Sequence, residues 1–116
     1  MNRALKSLVG MTLVAAATLL AAPSNATDFS CREASNAAER TICQDARLGR
    51  LDDQMAVVYG RLWSVADHRS RLRLRSAQHQ FLGARNACGW DAKCIRGAYL
   101  DQISVLDGKL TETLAN

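Results

Sequence analysis

An apolar repeat in the middle of the chain restricts its fold more than any other feature. Between positions 48 and 65, apolar residues recur at alternating intervals of three and four, at Leu48, Leu51, Met55, Val58, Leu62 and Val65. This spacing predicts an amphipathic α-helix with one apolar stripe. Asp45 is suited to cap its start, whereas Gly49 costs about 1 kcal/mol relative to alanine and is expected to loosen the first turn.

Two further stretches repeat this spacing. After a turn predicted at 67–70, a second helix presents Leu74, Ala77, Phe81, Ala84 and Cys88. After a break at Gly89 and a cap at Asp91, a third helix presents Ile95, Tyr99, Ile103, Leu106 and Leu110. A short helix from Ser35 to Cys43, capped by Ser35, precedes them. Amphipathic helices with short connections bury their stripes against one another, so we predict an all-α, antiparallel bundle of three main helices plus a short N-terminal helix.

The first 26 residues have the features of a signal peptide. Arg3 and Lys6 give a positive start, positions 8–22 are mostly apolar, and small residues precede a cleavage point after Ala26. The apolar stretch is short for a membrane span, and the cleavage point lacks the cysteine that lipoprotein processing needs. We therefore expect a domain of residues 27–116, beginning at Thr27, located in the periplasm or outside the cell without a stable membrane anchor.

The charge of the expected mature domain is modest. The leader holds two of the 15 basic residues and none of the 11 acidic ones, so the formal charge falls from +4 to +2, which is 13 minus 11. Four alternating arginines form two i,i+4 pairs on different faces of the second helix and no single basic stripe, at Arg69, Arg71, Arg73 and Arg75. Without interleaved aromatics, this pattern does not predict nucleic-acid binding.

Four cysteines follow the leader, at Cys31, Cys43, Cys88 and Cys94. An even number in an exported domain predicts two disulfides, and zinc sites usually bring ligands in closely spaced pairs that are missing here. Cys88 and Cys94 flank a short turn between two helices, so they can reach disulfide distance, which would leave Cys31 for Cys43. Crossed pairing of the two ends also remains compatible with the sequence. We expect no metal and no cofactor.

Several short elements around these cysteines resemble the LprI-like lysozyme-inhibitor family. They are Phe29-Ser30-Cys31, Glu39-Arg40-Thr41-Ile42-Cys43, Leu51-Asp52, Tyr59, Leu74-Arg75, Gln78, Phe81-Leu82, Arg85-Asn86-Ala87-Cys88, Cys94 and Tyr99. The resemblance covers nearly all of the expected mature chain. It implies an exported bacterial helical domain with two disulfides, and for some relatives an inhibitory contact with lysozyme. The chain departs from the family pattern at Phe81, where a tryptophan is expected.

The segment between Cys88 and Cys94 contains the first candidate binding residues, Trp90, Asp91 and Lys93. A disulfide across it would hold a loop rigid, so that little entropy is lost on binding, and tryptophan is enriched among binding anchors. The alternative is a hydrophobic staple, in which Trp90 packs on Ile95 and serves only the helix start. Trp63 is a further candidate, one turn from Tyr59. The competing interpretation is that the short N-terminal helix covers it.

These features favour binding over catalysis. No nucleophile lies in a recognisable context with a base, and the chain has no glycine-rich phosphate loop or histidine-glutamate metal motif. We therefore expect an exported binding protein of the cell envelope whose partner is a lysozyme-type muramidase. Animal lysozymes are basic, so affinity would come from shape and local acids such as Asp91 or Asp101. The alternative is a non-inhibitory accessory or immunity-type module that binds another envelope protein.

Overall fold

The computed structural model describes Phe29 and residues 31–116. After a short 3-10 helix, Cys31–Glu33, these residues form four α-helices: α1 (Ala37–Gln44), α2 (Ala46–Val65), α3 (His68–Ala87) and α4 (Ala92–Ala115). This part of the chain contains no strand, and the predicted all-α bundle with two disulfides is confirmed. The predicted signal peptide, residues 1–26, and the domain boundary at position 27 lie outside the described residues.

Three of the four helices begin at an aspartate cap. The carboxylate of Asp45 accepts a hydrogen bond from the Arg47 backbone N–H, and that of Asp91 accepts one from the Cys94 N–H, as predicted. Asp67 does the same for Ser70 at 2.7 Å, and this bond holds the pKa of the Asp67 carboxyl below its ordinary value. The turn predicted at 67–70 lies earlier, at Ala66 and Asp67, because α3 already begins at His68.

The cap of α1 also differs from the prediction. Asn36, not Ser35, is the N-cap, and its side chain accepts a hydrogen bond from the Glu39 N–H at 2.9 Å. Ser35 donates instead to the Glu39 carboxylate, from its backbone N–H at 2.8 Å and from its hydroxyl at 3.2 Å. The two hydrogen bonds of a capping box are thus divided between two residues: Asn36 accepts from the Glu39 N–H, and Ser35 donates to the Glu39 carboxylate.

The long helices run up, down and up. At one end of the bundle, the first turns of α2 and α4 line the same groove. At the other end, the last turns of α2 and α4 lie beside the first turns of α3. Hence α2 and α4 are parallel, and α3 is antiparallel to both. The α2–α4 contact is the most extensive in the bundle. α1 packs on α2, α3 and α4.

The core follows the predicted stripes with a shift of one position in two places. Thirteen apolar residues are buried: Ala38, Ile42, Leu48, Met55, Val58, Leu62, Leu74, Phe81, Ile95, Tyr99, Ile103, Leu106 and Leu110. Val65, predicted to be inside, is 46% exposed, because it lies in the last turn of α2. Ala84 is exposed, and the fully buried residue beside it is Arg85. On α2 likewise, Asp52 is buried and Leu51 only half-buried.

These two buried charges belong to a hydrogen-bond network that joins the four helices. The Tyr99 hydroxyl donates to Asp52 Oδ1 at 2.6 Å and accepts from Arg85 Nη1 at 3.3 Å. Arg85 Nη2 lies 3.4 Å from Glu39 Oε1 and donates to Asn86 Oδ1 at 2.9 Å. Burying a charge is costly unless it is paired and hydrogen-bonded, and this network provides both.

Burial favours the protonated form of the Tyr99 phenol within the network. It raises the pKa of Tyr99, and the hydrogen bond to the Asp52 carboxylate raises it further, so the phenol keeps its proton as a donor. Burial and the neighbouring charge of Asp52 also raise the pKa of Asp53, whose Oδ1 is buried without a hydrogen-bond partner. Asp53 therefore weakens the fold slightly when it is ionised.

Both disulfides link residues that are close in the sequence. Cys31 pairs with Cys43 and Cys88 pairs with Cys94, which excludes the crossed arrangement. The first bridge fastens the N-terminal segment to the end of α1, and the second closes the connection between α3 and α4. Loops this short remove about 2 to 3 kcal/mol of chain entropy each from the unfolded state.

The network can be tested by removing its central hydroxyl. We expect Tyr99→Phe to lower the free energy of unfolding by about 2 kcal/mol, because the buried Asp52 and Arg85 side chains both lose a hydrogen bond. Urea unfolding measures the change. Thr111→Val, which removes an exposed hydroxyl, is the control and should change stability by less than about 0.5 kcal/mol. An equally small effect of Tyr99→Phe would contradict a structural role for the network.

Candidate functional site

The connection between α3 and α4 forms a rigid loop, residues 88–94, which we call the bridge loop. Its backbone turns at Gly89, whose φ of +59° is in the left-handed region that favours glycine. The Asp91 N–H donates to the Cys88 carbonyl at 3.2 Å, and α4 begins at Ala92. With the Cys88–Cys94 disulfide, these contacts fix both ends of the loop.

Trp90 is the most prominent side chain of the bridge loop. It is 64% exposed, whereas Ile95, its proposed staple partner, is completely buried. Most of the indole therefore faces solvent, which favours recognition over a hydrophobic staple. An exposed tryptophan on a preformed loop has the properties of a binding anchor, because it offers a large apolar area at low entropic cost.

The other two predicted residues of the loop are also exposed. The Asp91 carboxylate accepts the Cys94 N–H at 3.0 Å, so this side chain is occupied in capping α4. Lys93 forms no ion pair among the described residues and presents its ammonium group to solvent. The structure thus brings Trp90, Asp91 and Lys93 together, with an aromatic ring and a free cation as the available groups.

Trp63 belongs to a different surface. It lies 17 residues along α2 from Ala46, about 25 Å from the end that carries the bridge loop. Tyr59 stacks beside it, with the ring centroids 6.1 Å apart. The guanidinium carbons of Arg71 and Arg75 lie 5.3 and 5.6 Å from the indole centroid, and Arg71 Nε donates to the Trp63 carbonyl at 3.0 Å.

This arrangement corrects the prediction that the short N-terminal helix covers Trp63. α1 has eight residues, about 12 Å of helix, and joins α2 at the opposite end, so it cannot reach Trp63. The cover consists of one of the predicted i,i+4 arginine pairs, Arg71 and Arg75, which binds the ring by cation–π contacts. The sequence predicted that these two arginines lie on one helix face, but it did not predict that they contact the Trp63 ring. Trp63 thus packs between α2 and α3, and its role as a binding residue stays a prediction.

Metal sites and membrane-spanning helices were the two other features of interest in the described residues, and neither is found there. Residues 31–116 contain no group of three or more side chains that could hold a metal ion. In the same region, no helix is long and apolar enough to cross a membrane. The bridge loop is a candidate site because it presents an exposed tryptophan on a connection closed by a disulfide.

The different environments of the two tryptophans can be measured by fluorescence. In Trp63→Phe the emission comes from Trp90, and in Trp90→Phe it comes from Trp63. We expect acrylamide to quench the first variant markedly more than the second, because Trp90 is 64% exposed and Trp63 is covered by arginines. Unfolding both variants in urea provides the control, since the quenching should then become equal. Equal quenching in the folded proteins would contradict an exposed Trp90.

Comparison with known proteins agrees with the four-cysteine pattern. The family model described as Lysozyme inhibitor LprI matches residues 31–116, which comprise the four helices and both disulfides. Among curated proteins and among solved structures, none matches the chain. The family match covers well over half of the sequence, and the chain belongs to the LprI lysozyme inhibitor family.

Proposed function

We propose that this protein is an exported inhibitor that binds a lysozyme-type muramidase through the bridge loop. Family membership supports an inhibitory rather than a catalytic role. Two disulfides suit the oxidising conditions of the periplasm or the exterior, where a muramidase would be met. The observation that carries the choice of surface is the exposure of Trp90 on a loop closed by a disulfide.

Rigidity makes the bridge loop suited to a cleft. A flexible loop loses conformational entropy when it binds, and a constrained loop loses less, so more of the contact energy becomes affinity. The Cys88–Cys94 bridge and the Asp91 cap supply this constraint. Substrate clefts of glycosidases are concave and suited to a protruding aromatic anchor such as Trp90.

Local charge also supports binding of the bridge loop in the substrate cleft. Most glycoside hydrolases carry two carboxyl groups beside the scissile bond, so their clefts are acidic even where the enzyme as a whole is basic. Lys93, three residues from Trp90, offers the complementary cation. The charge of +2 for residues 27–116 gives no long-range attraction to a basic partner, and Asp91 is occupied as a cap. Affinity then depends on the fit of the loop and on Lys93.

Inhibition can be tested by measuring lysis of bacterial cell walls. We expect micromolar protein to protect the walls from a lysozyme-type muramidase, and Trp90→Ala to weaken this protection by about 30-fold, the effect of losing a hot spot worth about 2 kcal/mol. Leu72→Ala is the matched control, because Leu72 is 53% exposed and lies on α3 near the other end of the bundle.

Two outcomes would count against the proposal. If the unaltered protein gives no protection at micromolar excess, inhibition of this enzyme class is rejected, and an accessory role with another envelope protein becomes the better explanation. If Trp90→Ala keeps its helical circular dichroism and still protects fully, the inhibitory surface lies elsewhere.

Export is tested separately by mass spectrometry of the protein purified from its native host, from cells and medium together. We expect an N-terminus at Thr27 and, on reduction, a mass increase of four hydrogens, since two disulfides open. The variant with both Cys88→Ala and Cys94→Ala should gain only two hydrogens. An intact N-terminus at Met1, or thiols that react before reduction, would show that the chain is not processed in an oxidising compartment.

A further inference from the structure

A groove between the first turns of α2 and α4 extends well beyond the function proposed above, which uses only one of its lining residues, Lys93. Its volume is about 730 Å³, within the range of small-ligand pockets. The parallel packing of α2 and α4 creates it, since two helix starts lie side by side at this end of the bundle. We call it the basic groove because four of its lining residues are cationic: Arg47, Arg50, Lys93 and Arg96.

The four cations occupy matching positions on the two helices. Arg47 and Arg50 are the second and fifth residues of α2, and the second and fifth residues of α4 are Lys93 and Arg96. Residues three apart are neighbours on a helix surface. Each helix therefore contributes one cationic pair, and the two pairs line the same groove. The positive ends of both helix dipoles also lie there, although the Asp45 and Asp91 caps offset part of their potential.

Two carboxylates cap the same helix starts, Asp45 and Asp91, and Asp91 accepts the Cys94 N–H at 3.0 Å. Asp45 also lines the groove, but its Oδ1 accepts the Arg47 N–H at 2.9 Å and lies 3.7 Å from Arg47 Nε. Among the described residues, no carboxylate pairs with Arg50, Lys93 or Arg96. Three cations are thus left for an external anion.

The floor of the groove is apolar. Leu48 is buried at its base, Leu51 is half-buried, and Leu100 on α4 is 43% exposed. Leu100 exposes apolar surface to water, and the like charges that share the groove repel one another. One molecule that supplies both an anion and a hydrocarbon chain improves both contacts. A simple anion would leave the leucines in water, and a neutral hydrocarbon would leave the cations unpaired.

We propose that the basic groove binds a single amphiphile with a phosphate head group. The phosphate oxygens accept hydrogen bonds from the arginines of both helices, a geometry that suits the planar guanidinium group. The alkyl chain lies on Leu51 and Leu100. This site shares Lys93 with the proposed inhibitory surface, but its arginines have no part in muramidase inhibition. The test uses a different ligand and alters only arginines, so the two proposals can fail separately.

Calorimetry with three probes separates the two halves of the site. Dodecyl phosphate, below its critical micelle concentration, carries both the anion and the chain; dodecyl maltoside carries only the chain, and inorganic phosphate only the anion. We expect dodecyl phosphate to bind at least about tenfold more tightly than either of the others, with an affinity that falls as salt is added. Equal affinity for dodecyl maltoside, or for inorganic phosphate, would overturn the proposal.

Charge reversal then locates the binding. The double variant with Arg50→Glu and Arg96→Glu should lose at least about tenfold in affinity for dodecyl phosphate. The control with Arg61→Glu and Arg69→Glu changes the net charge equally, at exposed positions that do not line the groove, and should lose less than about twofold. Equal losses in the two variants would show non-specific attraction and would reject the groove as the site. Circular dichroism confirms that both variants fold.

Discussion

The buried contact among Asp52, Arg85 and Tyr99 is the constraint on which the arrangement of the long helices depends. Each of the three helices α2, α3 and α4 contributes one of these side chains, and the hydroxyl of Tyr99 joins the other two. Apolar stripes tolerate sliding and rotation, because one leucine packs much like another. The buried Asp52 and Arg85 side chains do not tolerate such movements, because a shift of one helix would leave them without their hydrogen-bond partner. The network therefore favours one axial register of the helices.

The register of the helices determines what the surface presents. With α2 and α4 parallel and aligned, their capped starts lie side by side, and each brings cations at its second and fifth positions to the same groove. The bridge loop leads directly into α4, so Trp90 extends from the same end of the molecule. The opposite end carries Trp63, where two arginines of α3 cover the ring. The exposed aromatic ring and the unpaired cations thus lie together, away from the covered tryptophan.

The sequence predicted the helices well and their polar contacts poorly. Alternating intervals of three and four identified all three long helices, and aspartates at the expected positions identified two of the caps. A search for apolar residues at helical spacing, however, passes over charged residues. It therefore predicted that Leu51 and Ala84 face the core, whereas the structure buries Asp52 and Arg85. Asp52 follows Leu48 by four residues, and Arg85 follows Phe81 by four, so both positions carried a signal in the helical period. The groove could not be found in this way, because it depends on which helices are parallel.

The positions of the family elements explain why membership indicates the fold more strongly than the target. Glu39, Asp52, Arg85, Asn86 and Tyr99 all belong to elements on which the family resemblance rests, and all of them meet in the network. These residues hold the helices together. Trp90 and Lys93 lie between the matching cysteine elements, on the surface, where a substitution does not disturb the network. The surface of the bridge loop, where we propose that the partner binds, can therefore change without a change in the buried contacts.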